Sequence, residues 1–397
     1  MKVLFIHGEE RLKEDVEGNY YTDGSYNQDV WDRYLFMFEN LTVMFKKDSK
    51  IYDTNFAKQK FQYFDKDRIS FKHLPDVYTS LKNSFNLKNR RFLNQKIKNS
   101  IIETDYLIAR LPSVEGNIAI RYARRYKKPY FIEVVGCPWD SYKNHSFKGK
   151  IVAPISYLGM KIATKRSLYA LYVTKKFLQN RYPCKGKSIG CSDVTLPSFE
   201  LATLKKRINR INNINYDKPI ILGTIGAVNI GYKGQKDVIK AISKLNNEGF
   251  NFEYRLVGDG DVSYLKSIAE KYNVADKVIF LGSLSREEVL IFLDNIDIYI
   301  QPSKTEGLPR ALIEAMSRGC PSIGSKVGGI PELLKEECTF HSGDVNAIYR
   351  LLKFMDKEMM IEEANHSFEK SKEYEKELLD EKRNDFYKYF IVNALKD

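Results

Sequence analysis

The sequence predicts an α/β chain of two parallel-sheet domains, and three observations carry that reading. Its 397 residues exceed what one ordinary core accommodates and suit two units of roughly 200 residues each. Short apolar runs alternate with helical patterns through the second half, and less regularly through the first. The polar, Asn-rich segment ELATLKKRINRINNINYDKP, ending at Pro219, lies between the two halves and reads as their connection.

In the second half the strand-like runs are PIILGTIG (219–226), FEYRLVG (252–258), KVIFLG (277–282) and DIYIQPS (297–303). Helical patterns such as KDVIKAISKLNNEG and REEVLIFLDN space them, which is the signature of βαβ units on a parallel sheet. In the first half KVLFIHG, ENLTVMFKK, RISFKHL, DYLIARLP, PYFIEVVG and LYALYVT read as strands, with helical patterns at 27–38, 81–102 and 116–127. The expected organisation is a Rossmann-like domain over 1–205, a second over 217–370, and a terminal helix within 371–397 that packs back on the first.

Composition narrows the function classes. The chain is 43% hydrophobic and 29% charged, a globular profile without internal repeats. The apolar start of MKVLFIHGEE is too short for a secretory signal, and no apolar stretch reaches the ~18 residues of a membrane span. Five cysteines, with no CxxC pair and no His at zinc-ligand spacing, predict a reducing, cytoplasmic setting and no structural metal.

The net charge of +13 is unevenly placed. Residues 1–200 hold 35 Lys and Arg against 21 Asp and Glu, whereas residues 201–397 hold 29 against 30. Such a first half attracts an anionic membrane surface or a phosphorylated acceptor. No aromatic-basic recognition motif stands out, so nucleic acid is not an expected partner. The segment 80–102 sets Leu81, Phe85, Phe92, Leu93, Ile97 and Ile101 among Lys and Arg. It fits either a helix lying on a membrane or one packing its apolar stripe on the first sheet.

The strongest chemical signal is QPSKTEGLPRALIEAMSRGCPSIGSKVGGIPELL, residues 301–334. It reads as a strand end, a loop, and a helix opened by Pro309 at its first position and closed at Gly319. Ser303, Glu306, Gly307 and Leu308 lie in that loop, beside a helix N-terminus suited to a diphosphate. Glu306 and Glu314 are eight residues apart, at most about 12 Å along a helix, so one carboxylate can serve sugar hydroxyls and the other ribose hydroxyls.

This pattern resembles the donor-site signature of the GT-B retaining glycosyltransferases of glycosyl transferases group 1, which include glycogen-synthase-like, sucrose-phosphate-synthase-like and bacterial mannosyltransferase enzymes. The resemblance is strong over 219–335 and weaker over the first half. It implies that Glu306 contacts the donor sugar, that Gly307 and Leu308 supply amides to the phosphates, and that Glu314 binds the ribose. GGIPE, Gly328 to Glu332, is a further match.

Upstream, Gly226 and Lys233 in GTIGAVNIGYKGQKDVIKA match the family's first strand and the lysine that neutralises the diphosphate leaving group. The family's basic residue after that strand glycine is here Ala227, which leaves more of the charge to Lys233, Arg310 or Lys304. By the same resemblance Gly258 and Asp259 border the donor pocket, and the run containing Ile279 meets the nucleobase through its backbone. Gly24 and Ser25 open a helix as in relatives, near acceptor and donor phosphate.

Where many relatives carry a His after a first-half strand, Val135 and Gly136 stand here. Glu133, Asp140, Asn144 and His145 are the nearest polar groups in sequence, with Asp140 and His145 the candidate catalytic replacements. Arg110, at the end of DYLIARLPS, is expected to point into the interdomain cleft and bind acceptor.

The resemblance implies sugar transfer with retention of configuration, without metal or cofactor, from a nucleotide sugar, UDP-linked by family usage with GDP as the alternative. The expected acceptor is a saccharide, lipid-linked and met at the cytosolic membrane face, in bacterial cell-surface polysaccharide synthesis. Transfer to a soluble acceptor, or a weakened nucleotide-sugar-binding scaffold as Ala227 and Val135 suggest, are the alternatives.

Overall fold

The computed structural model describes residues 1–24, 26–78, 83, 86–145, 147–194, 196 and 199–394, with all their side chains except those of 145, 147 and 148. Nine strands among them form the first sheet: β1 (Lys2–Asp15), β2 (Tyr20–Thr22), β3 (Asn40–Tyr52), β4 (Gln62–Phe64), β5 (Ile69–His73), β6 (Tyr106–Leu111), β7 (Tyr130–Val134), β8 (Tyr169–Tyr172) and β9 (Lys187–Gly190). The order β5-β3-β1-β6-β7-β8-β9 is parallel throughout, and β2 and β4 extend the far end of β1 antiparallel. All six residues of β6 are buried, as a strand covered on both faces requires.

The second sheet is parallel and contains β10 (Ile220–Ile225), β11 (Phe252–Val257), β12 (Val278–Gly282), β13 (Ile298–Gln301), β14 (Ser322–Ser325) and β15 (Thr339–Phe340). Its order is β12-β11-β10-β13-β14-β15, the doubly wound arrangement. The winding reverses between β10 and β13, so their carboxyl ends flank a crevice where such sheets take ligands.

The segment expected as a polar connection is largely a helix, Leu201–Asn212, packed on the second half. Arg207 anchors it: the buried guanidinium donates to the carbonyls of Ile296 (2.6 Å), Leu293 (2.6 Å) and Arg318 (3.2 Å). A buried cation is tolerated because its donors are met. Pro309 is the N-cap of the helix Arg310–Ser317, one residue earlier than expected.

The helix Leu87–Ile102 buries Leu93, Ile97 and Ile101 in the first core, as the packing reading expects, and leaves Leu87 and Phe92 exposed. Leu81 and Phe85 lie outside the described residues.

Two chain passages cross between the sheets side by side. The Leu196 N–H donates to the Tyr374 carbonyl and the Lys376 N–H to the Leu196 carbonyl, both at 2.9 Å. The terminal helix Lys376–Asn393 then lies on the first sheet. Phe386, Tyr387 and Phe390 pack on Phe131 with ring centroids 5.6, 5.3 and 5.1 Å away, and Phe390 also meets Tyr106 and Tyr169. Phe390→Ala is therefore expected to cost about 3–5 kcal/mol of stability, read as a lower urea midpoint at unchanged slope. A loss below about 1 kcal/mol would show that this helix is not part of the first core.

Candidate functional site: a charged crevice at the carboxyl ends of β10 and β13

The loop after β13 folds back over the strand end, and its polar side chains converge on one carboxylate oxygen. Glu306 Oε1 accepts from Ser303 Oγ (2.7 Å), Lys233 Nζ (2.8 Å) and Gln301 Nε2 (3.2 Å). Ser303 and Gln301 are buried, and the Glu306 side chain is 13% exposed. Lys233 ends a single 3-10 turn, Gly231–Lys233, and its stem runs beside Gly226. Gly234 follows in the left-handed region (φ 77°), where a side chain would also strike the Pro302 carbonyl, so the turn can end there and open the helix Gln235–Asn247.

Gly258 lies against the Gly226 carbonyl, so the loops after β10 and β11 meet at the same edge. Asp259, beyond it, pairs with Lys60 of the first half (2.9 Å), and this hydrogen bond holds its carboxyl below the ordinary carboxylate range. Glu314 projects from the helix Arg310–Ser317 into a cavity of about 530 Å³ that Phe199, Lys206 and Arg286 also line. Burial pushes the Glu314 carboxyl up, while Arg310 and Arg286 oppose that shift.

Gly307 serves a contact the sequence did not announce. A Cβ there would lie 2.5 Å from the Val135 carbonyl oxygen of the first half. Around it, the Gly329 N–H donates to the Gly307 carbonyl (2.7 Å) and Asn144 Nδ2 to the Lys304 carbonyl (3.1 Å). Glu332 accepts backbone N–H groups of Lys175 (2.6 Å), Lys176 (3.0 Å) and Phe177 (2.6 Å), at the start of the helix Phe177–Arg181. Leu308 packs between the cores of both halves.

The structure thus gathers Gly226, Lys233, Gly258, Ser303, Glu306, Gly307 and Leu308 at one crevice, with Glu314 behind it. It does not bring Ile279 there: that residue lies near the amino end of β12, opposite Arg255 in the ladder, and Gly282 holds the carboxyl end. Asp140 is turned to Arg181 Nη1 (2.7 Å). Gly24 is exposed, while Ser25 and the His145 side chain lie outside the described residues.

Arg110 departs from its expected role. Its guanidinium is buried, bonded to Glu133 (2.9 Å) and Asp193 and stacked on the Tyr26 ring (5.4 Å). Burial pushes Glu133 up against the pull of Arg110; burial also acts to raise Asp193, but Arg110, Arg383 and Arg33 hold it below its usual range. Both acidic partners claim its donors, which leaves Arg110 a structural cation rather than an acceptor contact.

Two polar groups were not singled out from sequence. Gln301 is the buried donor that orients Glu306, and its signal was only a polar residue ending a buried run. His7 follows the part of β1 that pairs with β6 and bonds the Tyr26 hydroxyl (2.8 Å). Burial, then Arg110 and Lys46, lower its pKa to about 3, so it is neutral at physiological pH.

A lysine, a hydrogen-bonded carboxylate and a helix N-terminus thus meet at the switch point of a doubly wound sheet, the place where such sheets take ligands. Comparisons with known proteins make this specific. Residues 205–373 match the family described as Glycosyl transferases group 1. Protein CapJ of Staphylococcus aureus is 35% identical over 357 residues, 89% of this chain and 85% of that one. The amylovoran biosynthesis glycosyltransferase AmsK of Erwinia amylovora is 35% identical over 130 residues, 30% of this chain and 32% of its own length. Among solved structures, HepE of Anabaena in complex with UDP and glucose shares the fold with a TM-score of 0.61 at 13% identity, over 100% of both chains. The chain belongs to the group 1 glycosyltransferases and has the GT-B fold.

Lys233→Ala is expected to lower kcat by about 10²–10³, measured as nucleotide release from the donor, since Ala227 offers no second cation beside it. Turnover within about threefold of wild type would assign that charge to Arg310 or Lys304 instead.

Proposed function

We propose that this glycosyltransferase moves a sugar, with retention and without a metal, from a UDP-sugar to a lipid-linked saccharide in cell-surface polysaccharide synthesis. The observation that carries the reading is the Lys233–Glu306 pair held by Ser303 and Gln301 at the switch point. Donor binding draws the Lys233 ammonium onto the diphosphate, and sugar hydroxyls donate to the lone pairs of Glu306 that it leaves. As the glycosidic bond breaks, the electron pair goes to the diphosphate oxygen, where Lys233 and the amino end of the helix Arg310–Ser317 meet the growing charge. The acceptor hydroxyl forms the new bond on the face the diphosphate leaves and passes its proton to the departing diphosphate oxygen, so configuration is kept. Lys233 supplies the positive charge that a metal provides elsewhere.

Several observations support the finer terms. HepE, of the same fold, binds UDP and glucose, and AmsK is an amylovoran biosynthesis enzyme. Among the described residues no helix is long and apolar enough to cross a membrane, so a lipid-linked acceptor has to be met at a surface. The basic surplus of the first half suits such a surface.

A thermal-shift screen over UDP-, GDP- and ADP-sugars should give the largest rise with a UDP-sugar, since a ligand at 100 times its Kd adds about 2.7 kcal/mol. The anomeric configuration of the product, read by NMR, should equal that of the donor. An inverted product contradicts retention, and donor binding without turnover favours a nucleotide-sugar-binding scaffold.

Glu314 gives a pH signature. Its ionised form accepts ribose hydroxyls and burial raises its pKa, so affinity is full above that raised value and falls as pH drops through it. Calorimetric titration of UDP across pH should show this fall in wild type and its loss in Glu314→Gln. Equal affinity and equal pH dependence in the two would remove Glu314 from the ribose site.

A further inference from the structure

We propose that the outer face of the helix Phe147–Lys165, together with a basic cavity at its carboxyl end, docks the chain on an anionic phospholipid bilayer. This deepens the lipid-linked reading above and rests on it for purpose, while the docking surface stands on its own geometry.

The helix is apolar on both sides. Ala153, Met160 and Ala163 are buried against the first core. On the other side Ile151, Ile155, Leu158 and Ile162, spaced i, i+4, i+7 and i+11, form a single stripe. They are 65%, 73%, 57% and 42% exposed, and Leu168 extends the stripe past the helix end. A solvent-facing helix normally turns polar residues outward. Four aligned exposed aliphatics call for a covering phase.

The surrounding charge selects that phase. Between residues 141 and 192 the chain carries eleven Lys and Arg and no Asp or Glu. At the helix's carboxyl end, Arg124, Lys127, Lys128, Lys165, Arg166 and Lys185 line a cavity of about 690 Å³ with no acidic residue among its described lining. An apolar stripe in a segment whose charged residues are all cations matches acyl chains beneath anionic headgroups, and it repels a second basic face of its own kind.

The placement also suits the reaction. The cavity includes Tyr130 and Tyr169, at the amino ends of β7 and β8, away from the catalytic crevice. The helix before it, Pro138–His145, carries Asn144 against the Lys304 carbonyl. The 19-residue helix therefore spans about 28 Å from the cavity to the rim of the crevice. A bilayer along its outer face brings a lipid-linked acceptor to that rim.

The test is co-sedimentation of the full chain with phosphatidylglycerol and phosphatidylcholine vesicles, comparing wild type with I155E/L158E, K165E/R166E and, on the other helix, the exposed F92E. Wild type should bind phosphatidylglycerol vesicles in preference. I155E/L158E and K165E/R166E should each weaken binding by about tenfold or more, while F92E stays within about twofold. Because every altered side chain is at the surface, UDP-sugar thermal shifts should match wild type in all of them. Wild type that ignores phosphatidylglycerol, or I155E/L158E that binds like wild type, overturns the proposal. So does a wild-type dimer that I155E/L158E dissociates without any effect of vesicles, since the face would then cover a second copy. Transfer to a detergent-dispersed lipid-linked acceptor is scored separately: transfer without vesicle binding removes the docking face alone, and vesicle binding without such transfer removes the acceptor reading alone.

Discussion

The seating of the loop after β13 on the first half is the constraint on which the remaining geometry depends. Gly307 reaches the Val135 carbonyl so closely that no side chain fits between them. Glu332 accepts three N–H groups at the start of the helix Phe177–Arg181, and Asn144 bonds the Lys304 carbonyl. The Glu332 bonds are charge-assisted, a kind about twice as strong as neutral ones. The loop that holds Glu306 is therefore seated against both halves. Gly307, read from the sequence as a point of phosphate approach, is thus also a point of contact between the halves.

Two charge networks in this chain do different work. Around Glu306, one oxygen receives three donors while Lys233 stays partly exposed, so its ammonium can exchange one anion for another. Around Arg110, Glu133 and Asp193 are enclosed by Tyr34, Tyr387 and Arg383, and the buried guanidinium is held by two carboxylates at once. The first arrangement suits transient binding of a diphosphate. The second ties the terminal helix to the first sheet, where Arg383 also bonds the Ser192 carbonyl (2.7 Å), and removing one partner would strand a buried charge.

The second domain was legible because its strands are buried runs separated by amphipathic helices; the four runs read from sequence became β10 to β13 with ends shifted by at most two residues. The loop motif told which residues gather at the crevice, since strand carboxyl ends set where a doubly wound sheet binds. What escaped depends on the third dimension. Arg110 sits at a strand end, as inferred, yet carboxylates from β7 and from the loop after β9 capture it. Ile279 was placed by motif, but the ladder puts it at the wrong end of its strand. The helix Phe147–Lys165 gave no 3.6-residue signal because both of its faces are apolar and Pro154 interrupts it. Gln301 looked like the polar end of a strand, and only the returning loop makes it a donor to Glu306.

The central claim is that the switch point of the second sheet takes the nucleotide sugar. Amide hydrogen exchange with and without UDP tests it most directly, because ligand contact slows opening where the ligand sits. New protection should be confined mainly to residues 226–235 and 303–314. Protection confined to the first sheet, or none in those two segments at saturating UDP, would contradict it.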